Sequence, residues 1–209
     1  MSSNDSLQAI LKALSFEEQP LLESLRHFRE LLLRANQHIN LISRRESERT
    51  LLSLISDSLT LLRLVDYEPG STLLDLGSGA GLPWIPQKLA RPDLKIISVE
   101  SNRRKLEFQR SVVRELQLAE CRLEPFRLEE LPPQEADYLV AKGVAEVGEL
   151  ISLAVSHLRP GGLLILPRGL TESEAEEDQY QDEFEIILVQ RYAPPPPAPE
   201  ANLLLLRKI

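Results

Sequence analysis

The chain carries one cysteine, Cys121, among 209 residues, so it forms neither an internal disulfide nor a thiolate metal cluster. Cys121 reads as a buried strand residue within "ECRLEP". Histidine is also scarce. His27, His38 and His157 fall in helical segments, where each reads as a surface or packing residue, and no general base stands out. No apolar run approaches the roughly 20 residues of a membrane span. The N-terminus "MSSNDSLQAI" lacks the basic, apolar and small-residue series of a secretory signal. These absences lead us to expect a cytoplasmic protein with no membrane segment and no metal. A basic surplus is missing too: 32 acidic residues outnumber 24 Lys and Arg, for a net charge of −8. That sum disfavours phosphate binding, which depends on clustered cations. The distribution is uneven, however. The stretch 171–185 holds only acids, whereas "SNRRKLEFQRSVVRE" and "LISRRESER" are basic, leaving room for one positive face. Solvated helix faces that merely confer solubility explain each run equally well.

What is present is a 43% apolar content, enough for one main core. Leu21, Leu22, Leu25, Phe28, Leu32 and Leu33 recur at helical spacing after Pro20. With a second helix over 46–64 and a weaker pattern over 7–14, they predict a helical subdomain at 1–69. From 70 to 209 strands and helices alternate. "TLLDL", "KIISVE", "CRLEP", "ADYLVAK" and "GLLILP" read as strands, and 83–90, 103–118 and 147–158 as helices. This alternation predicts a mostly parallel, Rossmann-like α/β sheet covered on both faces. "FEIILVQRY" and "LLLLRKI" have no helix between them, so the last two strands form an antiparallel hairpin. Its loop, "APPPPAPEAN", reads as a stiff connection or as a polyproline ligand.

The stretch "LLDLGSGAGLPWIP" follows the first strand of that alternation. Glycine at 77, 79 and 81 permits positive φ and removes Cβ where ligands bind in open parallel sheets. A tight turn without a ligand is the other reading. Glu100 ends the second strand, where a carboxylate can accept two ribose hydroxyls. Dinucleotide enzymes share such an acid but space their glycines G-x-G-x-x-G, whereas this chain reads D-x-G-x-G-x-G. Asp75 would repel a pyrophosphate and suit the ammonium and sulfonium of S-adenosyl-L-methionine. Together with the terminal hairpin, this predicts a seven-stranded class I S-adenosylmethionine-dependent methyltransferase. The strand "DYLVAKGVAE" carries neither an Asn/Asp-Pro-Pro-aromatic motif nor a cysteine nucleophile. An acceptor that needs no base, such as guanine N7, fits that scarcity.

The segment "LLDLGSGAGLPWIPQKLARPDLKIISVESNRRKLEFQRSVVRELQL", with "NQHINLIS", "DS" at Asp57 and "RG" at Gly169, resembles the RsmG (GidB) family of small-subunit ribosomal RNA guanine-N7 methyltransferases. The resemblance implies methylation of a guanine N7 in 16S ribosomal RNA, with the RNA or the small subunit as partner and a monomeric enzyme. It implies a cofactor site at Asp75, Gly77, Ser78, Gly79, Gly81 and Leu82, with Glu100 and Ser101 beside the ribose and Leu128 and Glu129 around the adenine. Lys142, reaching cofactor or target, and Arg168 are implied as the basic residues of the chemistry. Asn40 and Arg44 are implied on the RNA side, where the basic pair Arg103 and Arg104 would attract phosphate. The chain departs from the family at several of these positions. Lysine stands at 142 where arginine is usual, and arginine at 168 where lysine is usual, which exchanges a point charge for a guanidinium fork. Trp84 replaces a glycine, Leu54 a histidine and Ile42 a threonine. Three readings of Trp84 are open: stacking on the target base, blocking the entrance, or packing against the N-terminal helices. Two alternatives to the main function are a divergent methyltransferase of another substrate and a non-catalytic cofactor-binding interaction protein.

Overall fold

The computed structural model describes residues 3–16, 19–45, 47–127, 130–143, 147–170 and 183–209. Three helices come first: α1 (Ser3–Ala13), α2 (Gln19–Asn36) and α3 (Ser47–Leu64). Leu21, Leu22, Leu25, Phe28 and Leu32 of α2 are buried as their spacing predicts, with Phe28 and Leu32 fully enclosed and Leu33 half-buried. The alternating part follows as β1 (Thr72–Leu76), α4 (Trp84–Ala90), β2 (Lys95–Val99), α5 (Arg103–Glu115), β3 (Cys121–Glu124), β4 (Ala136–Ala141), α6 (Val147–Val155), β5 (Leu158–Gly169), β6 (Phe184–Tyr192) and β7 (Ala201–Lys208). Cys121 lies on β3 but is only half-buried, because β3 is an edge strand. Two helices stop short of the ends expected for them. In α5, Gln117 adopts a positive φ of 51° and Leu118 N–H turns back to Val113 O, which closes the helix.

The seven strands form one sheet in the order β3-β2-β1-β4-β5-β7-β6. β1 pairs in parallel with both β2 and β4, and the last two strands complete the sheet as an antiparallel hairpin. Alternation along each strand splits the core in two. Leu73, Ile96, Val140 and Ile165 face α1 to α5, whereas Leu74, Ile97, Leu139 and Leu164 face α6. The N-terminal helices share the first of these cores with the sheet. The loop between β6 and β7 folds back onto α3, where Ser56 Oγ donates to Pro195 O at 2.6 Å. No described helix is long and apolar enough to cross a membrane.

Strand order reverses at β1, whose neighbours β2 and β4 are reached by chain segments running in opposite directions across the sheet. Parallel sheets bind ligands outside the carboxyl ends of their strands at such a point. The glycine loop after β1, Glu100 after β2 and Lys142 after β4 all lie there.

Candidate active site

The glycine loop is tied to the end of β2: Gly77 and Ser78 N–H both donate to Val99 O, at 2.9 and 3.2 Å. Gly77, Gly79 and Gly81 have φ of +66°, +55° and +79°, a region that L side chains disfavour. Their surroundings differ. A Cβ on Gly79 would meet only Gly77 O, at 3.8 Å, so this backbone faces open space. A Cβ on Gly81 would lie 2.1 Å from Ile85 Cδ1, inside the fold. Gly81 is therefore bare because α4 packs against it, which corrects the expectation that it is bare for a cofactor. Leu82, half-buried, follows at the start of the turn into α4.

Beneath the loop lies a buried polar network that the sequence reading missed. Gln109 of α5 accepts at Oε1 from Trp84 Nε1 (3.1 Å) and Ser98 Oγ (2.6 Å), and donates from Nε2 to Ser78 Oγ and Gly79 O, both at 2.8 Å. Every donor and acceptor of the amide is used, the condition under which a buried network fixes one geometry. Trp84 is fully enclosed in it, at 0% exposure. Of the three readings left open, packing inside the fold is thus its role, and the substrate-binding one is corrected: no ring face is available to a base. The Ser78 side chain likewise points down into this network, and the residue as a whole is 1% exposed. The signal was a glutamine on the apolar stripe of α5 between Leu106 and Val112, and a serine at an inward strand position. Replacing Gln109 by Leu should strand the Trp84 Nε1–H and leave the Ser78 and Ser98 hydroxyls only each other, 2.6 Å apart. We expect about 2 kcal/mol of lost stability, read by denaturant unfolding, and weaker binding of S-adenosylhomocysteine.

Asp75 shares the strand face of Leu73, and so points toward α4, where its Oδ2 accepts from Trp84 N–H at 3.2 Å. Burial pushes its pKa up to about 8, and the nearby Glu100 charge adds to the rise, while the Trp84 N–H and the Lys142 ammonium oppose it. Burial thus disfavours the negative charge expected of it, and a second carboxylate, Glu100, stands at the loop. Glu100 Oε2 accepts from Gly79 N–H (2.9 Å) and Oε1 from Asn102 N–H (2.7 Å), which holds the carboxylate across the mouth of the loop. Each oxygen keeps a second lone pair.

Ser101, Arg103 and Arg104 are exposed beside it, at a helix start capped by Asn102 Oδ1, which accepts from Arg104 and Lys105 N–H. Leu128 and Glu129 lie outside the described residues, as does most of the acidic stretch, 171–182.

Lys142 and Arg168, far apart in sequence, border one cavity of about 290 Å³ between α3, the segment after β4 and the end of β5. Lys142 continues the face of Val140, toward α3, and its Nζ donates to Asp57 Oδ2. Leu54 lines the same cavity. Asn40 and Arg44 are exposed on the connection between α2 and α3, which Asn36 Oδ1 shapes by accepting from Leu41 and Ile42 N–H. Arg44 borders a different, wider groove against α1 and Pro195 to Pro197. The structure thus brings the two basic residues of the proposed chemistry together, and sets Arg44 apart. Among the described residues no group of three or more His, Cys, Asp or Glu is placed to hold a metal.

This geometry can be set beside known proteins. Residues 21–193 match the sequence model of a family described as rRNA small subunit methyltransferase G. The chain belongs to this GidB family. A family member from Syntrophotalea carbinolica, named ribosomal RNA small subunit methyltransferase G, is 35% identical over 81% of this chain and 79% of its own. One of the same name from Neisseria meningitidis is 32% identical over 86% of this chain and 85% of its own. Among solved structures, a SAM dependent methyltransferase from Aquifex aeolicus superimposes with a TM-score of 0.58, covering 73% of this chain and 90% of that one at 14% identity. That likeness concerns the fold. The α/β sheet with its terminal hairpin is the architecture expected from the sequence.

Proposed function

We propose that the protein transfers the methyl group of S-adenosyl-L-methionine to the N7 of a guanine in 16S ribosomal RNA, acting as a cytoplasmic monomer on the small subunit or its RNA. One arrangement supports this reading: an open glycine backbone and a fixed carboxylate follow β1 and β2, and a lysine-arginine cavity lies at the same, carboxyl, ends of β4 and β5. The residues suit the cofactor. The backbone of Gly79 is free of close neighbours where a nucleoside would lie against it, and the spare lone pairs of Glu100 would suit two ribose hydroxyls. Leu82 stands at the turn beside it, and Leu128 and Glu129 are assigned to the adenine by the family resemblance.

The cofactor supplies an electrophilic methyl on a sulfonium sulfur. The chain does the rest by orientation. Guanine N7 offers an in-plane lone pair and carries no proton, so no general base is required, in keeping with the scarcity of histidine. Holding the two reactants in line supplies most of the acceleration. Lys142 and Arg168 donate toward the acceptor guanine, and the exposed Arg103, Arg104 and Arg44 attract phosphate despite the acidic total.

The test is transfer of labelled methyl to small subunits from a strain lacking the modification, with naked 16S RNA alongside. We expect label in the 16S RNA, recovered as 7-methylguanosine after nuclease digestion. Tight S-adenosylhomocysteine binding without incorporation would point to another substrate or to a non-catalytic binding protein. Absence of cofactor binding would remove the enzyme reading altogether.

A further inference from the structure

The ammonium of Lys142 is held by Asp57, which Tyr192 holds in turn, so that three distant parts of the chain meet there. Asp57, in the middle of α3, accepts from Lys142 Nζ at Oδ2 and from the Tyr192 hydroxyl at Oδ1, the latter at 2.7 Å. Asp57 and Tyr192 are nearly closed off from solvent, at 7% and 6% exposure. The Lys142 side chain keeps 29%, and its open side looks into the cavity it shares with Arg168. Burial first, and the Asp57 charge second, drive the Tyr192 phenol far above its usual range, so it remains a donor at any working pH. Its partner must then accept, which keeps Asp57 oriented toward Lys142.

We infer that Asp57 is a positioning residue for methyl transfer: it fixes the Lys142 ammonium at the acceptor cavity and balances its charge, with Tyr192 holding Asp57 in place. The inference rests on the reading of Lys142 as an acceptor-side residue. Two physical effects support it. A lysine on a flexible stem loses much rotamer freedom when fixed. The Asp57 carboxylate fixes it before substrate arrives. The second effect concerns charge. In the transfer the N7–CH₃ bond forms as the S–CH₃ bond breaks and the sulfur retains that electron pair. No proton moves, and one positive charge passes from sulfur to purine. A lone ammonium beside the purine opposes that shift. Paired with Asp57 it is close to neutral, yet its remaining N–H groups can still orient a guanine oxygen.

An ion pair that only tied α3 to β4 and β6 would affect stability, and not the turnover of folded enzyme. The test is therefore a cycle of Asp57→Asn, Lys142→Ala and the double variant, assayed for kcat and KM on small subunits, with S-adenosylhomocysteine affinity and melting measured in parallel. We expect Asp57→Asn to bind S-adenosylhomocysteine as the parent does and to lower kcat about 30-fold, the scale of coupling between charged groups in contact. The double variant should be no slower than Lys142→Ala alone. Losses that multiply, or an Asp57→Asn enzyme with parental kcat beside an impaired Lys142→Ala, would overturn the inference while leaving Lys142 in its role. A fully active Lys142→Ala would instead remove the reading on which it rests. Tyr192→Phe keeps the ring and loses only the donor, and a smaller fall in kcat from it is expected; should Asp57→Asn fail to fold, parental kcat in Tyr192→Phe would count against the inference.

Discussion

Alanine at Gly81 should lower the melting temperature sharply, whereas alanine at Gly79 should leave the fold intact and remove cofactor binding. The two glycines lie on one loop with similar backbone angles, φ +79° and +55°, yet what surrounds them is opposite. At Gly81 the added methyl would sit 2.1 Å from Ile85 Cδ1 and 2.7 Å from its Cγ1, with Trp84 Nε1 3.4 Å away. Ile85 is fully enclosed, so its side chain can shift only by displacing its neighbours in the core. Overpacking of about 1–3 kcal/mol adds to a left-handed backbone strain of about 1–2 kcal/mol. For a chain of this size, that total of about 3 kcal/mol lowers melting by roughly 6–12 °C. At Gly79 only the backbone strain applies, and a shift of a few degrees follows. Its methyl would project into the space assigned to the nucleoside, so S-adenosylhomocysteine affinity should fall at least tenfold. Scanning calorimetry and titration calorimetry on both variants separate the effects. Normal affinity in Gly79→Ala would mean that no ligand lies against that backbone.

The second large effect is expected at Glu100. Its carboxylate is assigned two ribose hydroxyls, and hydrogen bonds to a charged group contribute about 1.5–3 kcal/mol each. Glu100→Ala should therefore weaken S-adenosylhomocysteine binding by about 100-fold or more. Glutamine should not restore it. In the parent, one oxygen accepts from Gly79 N–H and the other from Asn102 N–H. An amide must turn its NH₂ toward one of those donors, which opens the loop mouth. We expect Glu100→Gln to retain only a minor part of the affinity, with stability near that of the parent. Binding within a few fold of the parent in Glu100→Ala would place the ribose elsewhere.

The relation between sequence and site differs from residue to residue. The sheet was legible because strands buried on both faces read as apolar runs and alternate with helices of regular length. Glu100 was legible because its position at the end of β2 follows from strand counting. Gly81 was misread: a glycine that faces a cofactor and one that makes room for an isoleucine have the same letter, and only the neighbour distinguishes them. Trp84 was left open between three readings, and Gln109 was missed, for a related reason. Their partnership crosses from α4 to α5, and a hydrogen bond between residues 25 positions apart leaves no local periodicity. Asp57 was noticed as part of a motif, but its partners, Lys142 and Tyr192, lie 85 and 135 residues away.

By itself the sequence determined the parallel sheet with its terminal hairpin, the location of the glycine turn and the acid that follows β2, since each depends on residues adjacent in the chain. Tertiary structure alone decided which glycine faces open space, that Asp75 is buried where its charge is disfavoured, and that Lys142 is held by Asp57. Those properties arise from desolvation and from contacts between distant segments, and they exist only once packing has brought the segments together.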